Sequence, residues 1–162
     1  MTSSPTPAVQ RAIPPSLMTR VGNPVLTWLL SGSRRAKKLG QDLLLIHVTG
    51  RRTGKVYTTP VAYRRQPDGS LQVLTNSGWR VNMRGGPTPV ELTVLGRRAP
   101  AVAVLEEDPA AVAEVYQRLI SEIGLKEAGR RLGIKINVDR APTYDELLDA
   151  VQREHLSVLR LT

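Results

Sequence analysis

Arg51, Arg52 and Lys55 lie on one glycine-bracketed turn, Gly50-Arg51-Arg52-Thr53-Gly54-Lys55. Three cations that close together can grip a phosphate or a carboxylate, and a tight glycine turn adds freed backbone N–H groups to the same grip. A nucleotide P-loop would need four residues between its first glycine and Gly-Lys, then Ser or Thr, then a helix. Here three residues separate Gly50 from Gly54, Val56 follows Lys55, and the chain continues as a β-branched run. The turn chemistry leaves two readings open, an anion grip of another kind and a merely solvated hairpin tip.

A second constellation follows at Thr75-Asn76-Ser77-Gly78-Trp79-Arg80-Val81-Asn82-Met83-Arg84. On a helical turn Trp79 and Asn82 share a face, one offering a flat stacking surface and the other an amide that donates and accepts. With Arg80 and Arg84 nearby, this is one way to hold a ring that carries a phosphate tail; ordinary core packing of the tryptophan is the alternative. The rest of the chemical inventory is sparse. The chain has no cysteine, which excludes disulfides, thiolate catalysis and cysteine-ligated metals. His47 and His155 lack metal-ligand spacing, so no metal is expected.

The elements that must position these residues read as a β meander. Strands are expected at about 43–49, 55–65, 71–76, 90–95 and 98–105, with Asp68-Gly69 and Gly96-Arg97 as hairpin signals. So regular a meander predicts a closed or partly closed barrel. Asn23-Pro24 marks a helix start ahead of Val25, Leu26, Leu29 and Leu30, and that helix ends basic at Arg34, Arg35, Lys37 and Lys38. Asp108-Pro109 opens a second helix whose apolar face runs from Val112 to Ile123 and stops at Gly124. A short basic helix over 126–132, a helix opened by the capping box Thr143-Tyr144-Asp145-Glu146, and a last strand over 156–161 complete the chain. The proline-rich beginning predicts a flexible arm over 1–20, followed by a single domain over 21–162.

A formal charge of +9 on 162 residues favours anionic partners: a phosphorylated or polyglutamylated small molecule, nucleic acid, or a membrane surface. Two Trp, four Tyr and no Phe leave few stacking platforms, which counts against nucleic acid. No run nears the ~20 apolar residues of a membrane span, and the N-terminus lacks a signal-peptide pattern. The expectation is a cytoplasmic protein whose basic-ended first helix can lie on the inner face of an anionic membrane.

Taken together, the small barrel, Thr49-Gly50-Arg51-Arg52-Thr53-Gly54-Lys55, Thr58-Thr59-Pro60 and Trp79-x-x-Asn82 resemble the deazaflavin-dependent nitroreductase family over about residues 43–105. The resemblance implies an α+β fold, a mainly antiparallel split β-barrel with an N-terminal helix and C-terminal helices packed on it. It implies coenzyme F420 as cofactor, a deazaflavin with a phospholactyl-oligoglutamate tail. It also implies an oxidoreductase passing a hydride to quinones, nitroaromatics or other activated acceptors, and a homodimer. Carried onto this chain, Arg51, Arg52, Thr53, Gly54 and Lys55 would hold the phosphate and tail, and Thr59 and Pro60 would line the ring side. Asn76 and Ser77 would sit near the ring, and Trp79 and Asn82 would complete the pocket. Tyr63 is the candidate to hydrogen-bond or protonate an acceptor. A non-catalytic lipid- or fatty-acid-binding protein of the same fold, working near the membrane, is the alternative expectation.

Overall fold

A computed structural model describes the backbone of residues 5–12, 16–37 and 41–162, and the side chains of all these except 16–23. The chain divides into two compact units, Pro14–Leu105 with Val158–Thr162, and Met1–Ile13 with Glu106–Ser157.

In the first unit, helix α1 (Ser16–Ser31) and the short α2 (Ser33–Ala36) precede strands β2 (Leu43–Thr49), β3 (Val56–Ala62), β4 (Arg64–Arg65) and β5 (Leu71–Thr75). A 3₁₀ helix (Gly78–Met83), β6 (Thr88–Val94), β7 (Arg97–Glu106) and, at the far end of the chain, β9 (Ser157–Leu161) follow. The strands form one seven-stranded sheet in the order β3-β2-β6-β7-β9-β5-β4. It is an antiparallel sheet curled into a half-barrel. Chain connectivity requires the curl. β3 and β4 stand at opposite edges of the sheet, yet only Tyr63 separates them in sequence, so the two edges must approach each other at that residue. The expected continuous strand over 55–65 is therefore broken at Tyr63, which is only 5% exposed.

Alternation then builds the core. Leu44, Ile46 and Val48 of β2 face inward with Val73, Val90, Leu92, Ala103, Leu159 and Leu161, while His47 and Thr49 take the other face. Helix α1 packs on β2 and β3. It corrects one expectation: it begins at Ser16 and carries Pro24 inside rather than starting there. An interior proline removes one hydrogen bond and crowds the carbonyl four residues back. Tertiary packing, with Leu30 buried, outweighs that local stop signal. The helix also ends sooner than expected, because Gly32 separates it from α2; Lys38 lies outside the described residues.

The second unit holds helices α3 (Pro109–Ile123), α4 (Leu125–Leu132) and α5 (Tyr144–Glu154) with a two-stranded ribbon, β1 (Val9–Arg11) against β8 (Ile134–Ile136). These helices thus have a core of their own, with Val112, Tyr116, Leu119, Leu147 and Val151 buried. Burial pushes the Tyr116 hydroxyl pKa well above its ordinary value. Strand β1 arises within the segment expected to be a flexible arm, of which residues 1–4 and 13–15 lie outside the described part. Its pairing explains the difference: three residues too short for a periodic pattern are held by a ladder to β8 and by Asn137, whose side chain donates to the Pro7 carbonyl.

Candidate functional site

The Gly50 turn closes on itself before it meets anything else. The Gly50 N–H donates to the Lys55 carbonyl at 2.7 Å, the Gly54 N–H to the Gly50 carbonyl at 2.9 Å, and the Lys55 N–H to Thr53 Oγ1 at 3.3 Å. Gly54 has φ +67°, a left-handed conformation that a side chain would strain. Gly50 is required for a different reason, since a Cβ there would lie 2.8 Å from the Tyr57 ring. Short bonds within the turn leave Arg51, Arg52, Thr53 and Lys55 exposed.

Asn82 joins this turn to the 3₁₀ helix. Its Oδ1 accepts from the Arg51 N–H at 3.2 Å, and its Nδ2 donates to the Trp79 carbonyl at 3.0 Å. Arg51 Nη1 adds a 2.9 Å bond to the Arg84 carbonyl, leaving the other guanidinium donors for a ligand. A groove of about 500 Å³ results, lined by Gly50, Arg51, Arg52, Thr53, Tyr57, Trp79 and Asn82. The two sequence constellations, 30 positions apart, face one space. The lining contains two guanidinium groups and no carboxylate, and Trp79 is half-buried with one side packed on the core.

Other expected residues fall elsewhere. Thr59 lies on the groove face of β3, two positions beyond Tyr57, while Pro60, paired with Leu45, lies on the opposite face. Asn76 and Ser77 do not line the groove; their carbonyls accept from Arg80 Nη1, each at 3.1 Å. Arg80 is only 9% exposed and ties down this loop from within. Tyr63 belongs to the core cluster rather than to the groove.

One groove residue was not expected from the sequence, Tyr57; Gly50, read there as a turn glycine, lines the groove as well. Alternation along Lys55, Tyr57 and Thr59 was the available signal for Tyr57, whose ring lies 5.9 Å from Lys55 Nζ in a cation–π contact. His47 also has a defined setting on the other face of the sheet. Its two ring nitrogens bond Thr58 Oγ1 and Thr93 Oγ1, both at 2.8 Å. Burial, and then the charge of Arg98, lower its pKa, partly opposed by Glu91, which is paired with Arg98. Among the described residues, no cluster of His, Cys, Asp or Glu could hold a metal ion, and no helix is long and apolar enough to cross a membrane.

A family model for F420H(2)-dependent quinone reductases matches residues 30–146, a span that contains the turn, the 3₁₀ helix and most of the half-barrel. The chain belongs to the F420H(2)-dependent quinone reductase family. The family is F420H(2)-dependent, so coenzyme F420 is the cofactor, and quinone reduction is the activity the family indicates. No curated protein matches the chain. A solved structure described as a domain-swapped dimer is 14% identical, covering 92% of this chain and 100% of its own, with a TM-score of 0.47. The groove suits the cofactor of an F420H(2)-dependent quinone reductase on its donor set: exposed cations for a phosphate and carboxylates, and a tryptophan beside them for a ring.

Proposed function

We propose that this member of the family holds coenzyme F420 across the Gly50–Lys55 turn and the Trp79–Asn82 pair. The observation that carries the reading is Asn82, which ties the Arg51 backbone to the Trp79 carbonyl and so presents cations and stacking plane together. In this reading Arg51, Arg52, Thr53, Gly54 and Lys55 neutralise the phosphate and tail, Trp79 flanks the ring, and Thr59 lines the deeper wall. When bound, the coenzyme supplies the hydride; the chain supplies position, charge and exclusion of water. Asn76 and Ser77 act through the loop that Arg80 holds, and the proposal assigns no chemical role to Pro60 or Tyr63. Quinones are the leading acceptors, with nitroaromatics a second activated class to be assayed beside them.

A fluorescence titration with oxidised coenzyme F420 tests this. Saturable quenching is expected, and Arg51→Ala, Arg52→Ala and Lys55→Ala combined should weaken binding by about 3 kcal/mol or more, given ~1.5–3 kcal/mol for each charge-assisted bond. A combined variant that folds and binds as tightly as the parent would sink the assignment.

A surface feature supports a meeting with quinone at an anionic membrane. On α1, Val25 and Trp28 are 53% and 58% exposed, and the Arg35 guanidinium carbon lies 4.1 Å from the Trp28 ring centroid. An apolar pair beside cations suits the interface of an anionic leaflet. Co-sedimentation with phosphatidylglycerol vesicles, lost with phosphatidylcholine alone and reduced in Trp28→Ala, is the expected outcome; equal binding to both vesicle types would refute it.

A further inference from the structure

The half-barrel opens a second time, far from the Gly50 turn. Along β2 and β6, Leu45 pairs with Thr93 and His47 with Glu91, so the β6–β7 turn at Leu95-Gly96 lies beside the start of β2. The Gly50 turn leaves the other end of β2, roughly 20 Å away at about 3.3 Å per residue. At the β6–β7 end there is an open cavity of about 870 Å³.

Its floor is the edge of the core, where Leu71, Leu92 and Leu161 line it. The space exists because β7 places Ala99 and Ala101 there, paired with Leu92 and Val90, where larger inward side chains would fill the barrel. Its rim is cationic: Arg34, Lys37, Arg65 and Arg97 all line it and all are exposed. Among the described residues none of these four has a carboxylate partner. The rim is also held in place. Gly96, at φ +78°, lies so close to α2 that a Cβ would stand 2.3 Å from the Ser33 nitrogen, which presses the carrier of Arg34 against the turn carrying Arg97.

We propose that this cavity is a second ligand site, separate from the coenzyme groove, for a single-chain anionic amphiphile. The apolar body rests on the leucine floor, and a carboxylate or phosphate head is gripped by the four rim cations. The volume lies within the ~300–1,000 Å³ of small-molecule sites. Positive charge without a carboxylate partner around an apolar floor favours a ligand with an anionic head.

Isothermal titration of the full chain with decanoate, decyl phosphate, decyltrimethylammonium and inorganic phosphate tests the proposal. Decanoate and decyl phosphate should each bind at one per chain, and the tighter of the two identifies the head group. Decyltrimethylammonium, with the same chain length and opposite charge, and inorganic phosphate, with no chain, should each bind at least tenfold more weakly. An Arg34→Ala, Arg97→Ala double variant should weaken decanoate at least tenfold. Both side chains are exposed, so this variant removes rim charge and leaves the apolar floor intact. An Arg51→Ala, Lys55→Ala variant should bind decanoate unchanged while losing affinity for coenzyme F420. The proposal is overturned by equal affinity for the ammonium amphiphile, by full affinity in the rim variant, or by loss of decanoate binding in the Arg51, Lys55 variant. The last result would put the amphiphile in the coenzyme groove instead.

Discussion

Gly50 leaves no room for a side chain, because the Tyr57 ring that walls the groove occupies the space a Cβ would need, at 2.8 Å. Gly50→Ala must swing the Tyr57 ring, itself 41% exposed, out of its place in the groove wall. The expected result is weaker coenzyme binding; an alanine variant of unchanged affinity would contradict the geometry. His47 makes a different kind of prediction. Its folded-state pKa lies below the ordinary 6.5, burial being the main cause, so the neutral ring is the native form. Stability from this residue is complete above the unfolded value and is lost as pH falls through the folded one. NMR titration of the His47 ring should give a midpoint below 6.5, lowered further in Glu91→Gln because the Glu91 charge is what raises it. A midpoint at or above 6.5 would overturn the assignment.

Strands and helices carry consequences that no single contact shows. Tyr63 occupies the one position between two strands at opposite sheet edges, buried among core residues. Tyr63→Ala should therefore cost about 3–5 kcal/mol in equilibrium unfolding, the range for emptying a large aromatic site, while Tyr63→Phe keeps quinone reductase turnover. Turnover abolished in a well-folded Tyr63→Phe would instead return a chemical role to the hydroxyl. Helix α5 begins with a full capping box: Thr143 Oγ1 accepts from the Glu146 N–H at 3.3 Å, and the Glu146 carboxylate accepts from the Thr143 N–H at 2.8 Å. Arg140 binds the same carboxylate at 2.8 Å through both terminal nitrogens and, with Thr143, holds its pKa down at about 2. Thr143→Ala should cost about 1 kcal/mol. The contribution of the Glu146 carboxylate is complete above its ordinary 4.5 and disappears as pH falls through about 2, so the penalty of Glu146→Gln measured by unfolding should shrink in acid, while that of Thr143→Ala, which removes only the acceptor of a backbone N–H, should change little.

For the molecule as a whole the dominant quantity is charge. A net +9 draws an anionic coenzyme toward the protein before any contact forms, and salt screens that attraction with a Debye length of about 10 Å at 0.1 M. Stopped-flow association of coenzyme F420 should slow markedly between low and moderate ionic strength, with dissociation changing less. Association insensitive to salt would mean that the exposed cations of the turn do not steer the ligand.

Much of this was legible in the chain itself, wherever a local rule settles the matter. Asp108 before Pro109, the Thr143–Glu146 box, and the alternation of Leu44, Ile46 and Val48 each act through neighbours within a few residues, and the helices and strands stand where those signals put them. The tight basic turn was legible for the same reason: two glycines and three cations specify a tight, charged tip without help from the rest of the fold. Tertiary structure decided what depends on distant partners. It carried α1 back past Pro24 and made a strand of Val9–Arg11 by pairing it with β8. It turned Arg80 inward as a loop anchor, made Tyr63 the residue where the sheet edges meet, and brought Tyr57 into the groove wall. Asn82 shows the division most plainly. Spacing alone could place its amide on the same helical face as Trp79, but only the curl of the sheet brings the Arg51 N–H, 31 residues earlier, within 3.2 Å of it.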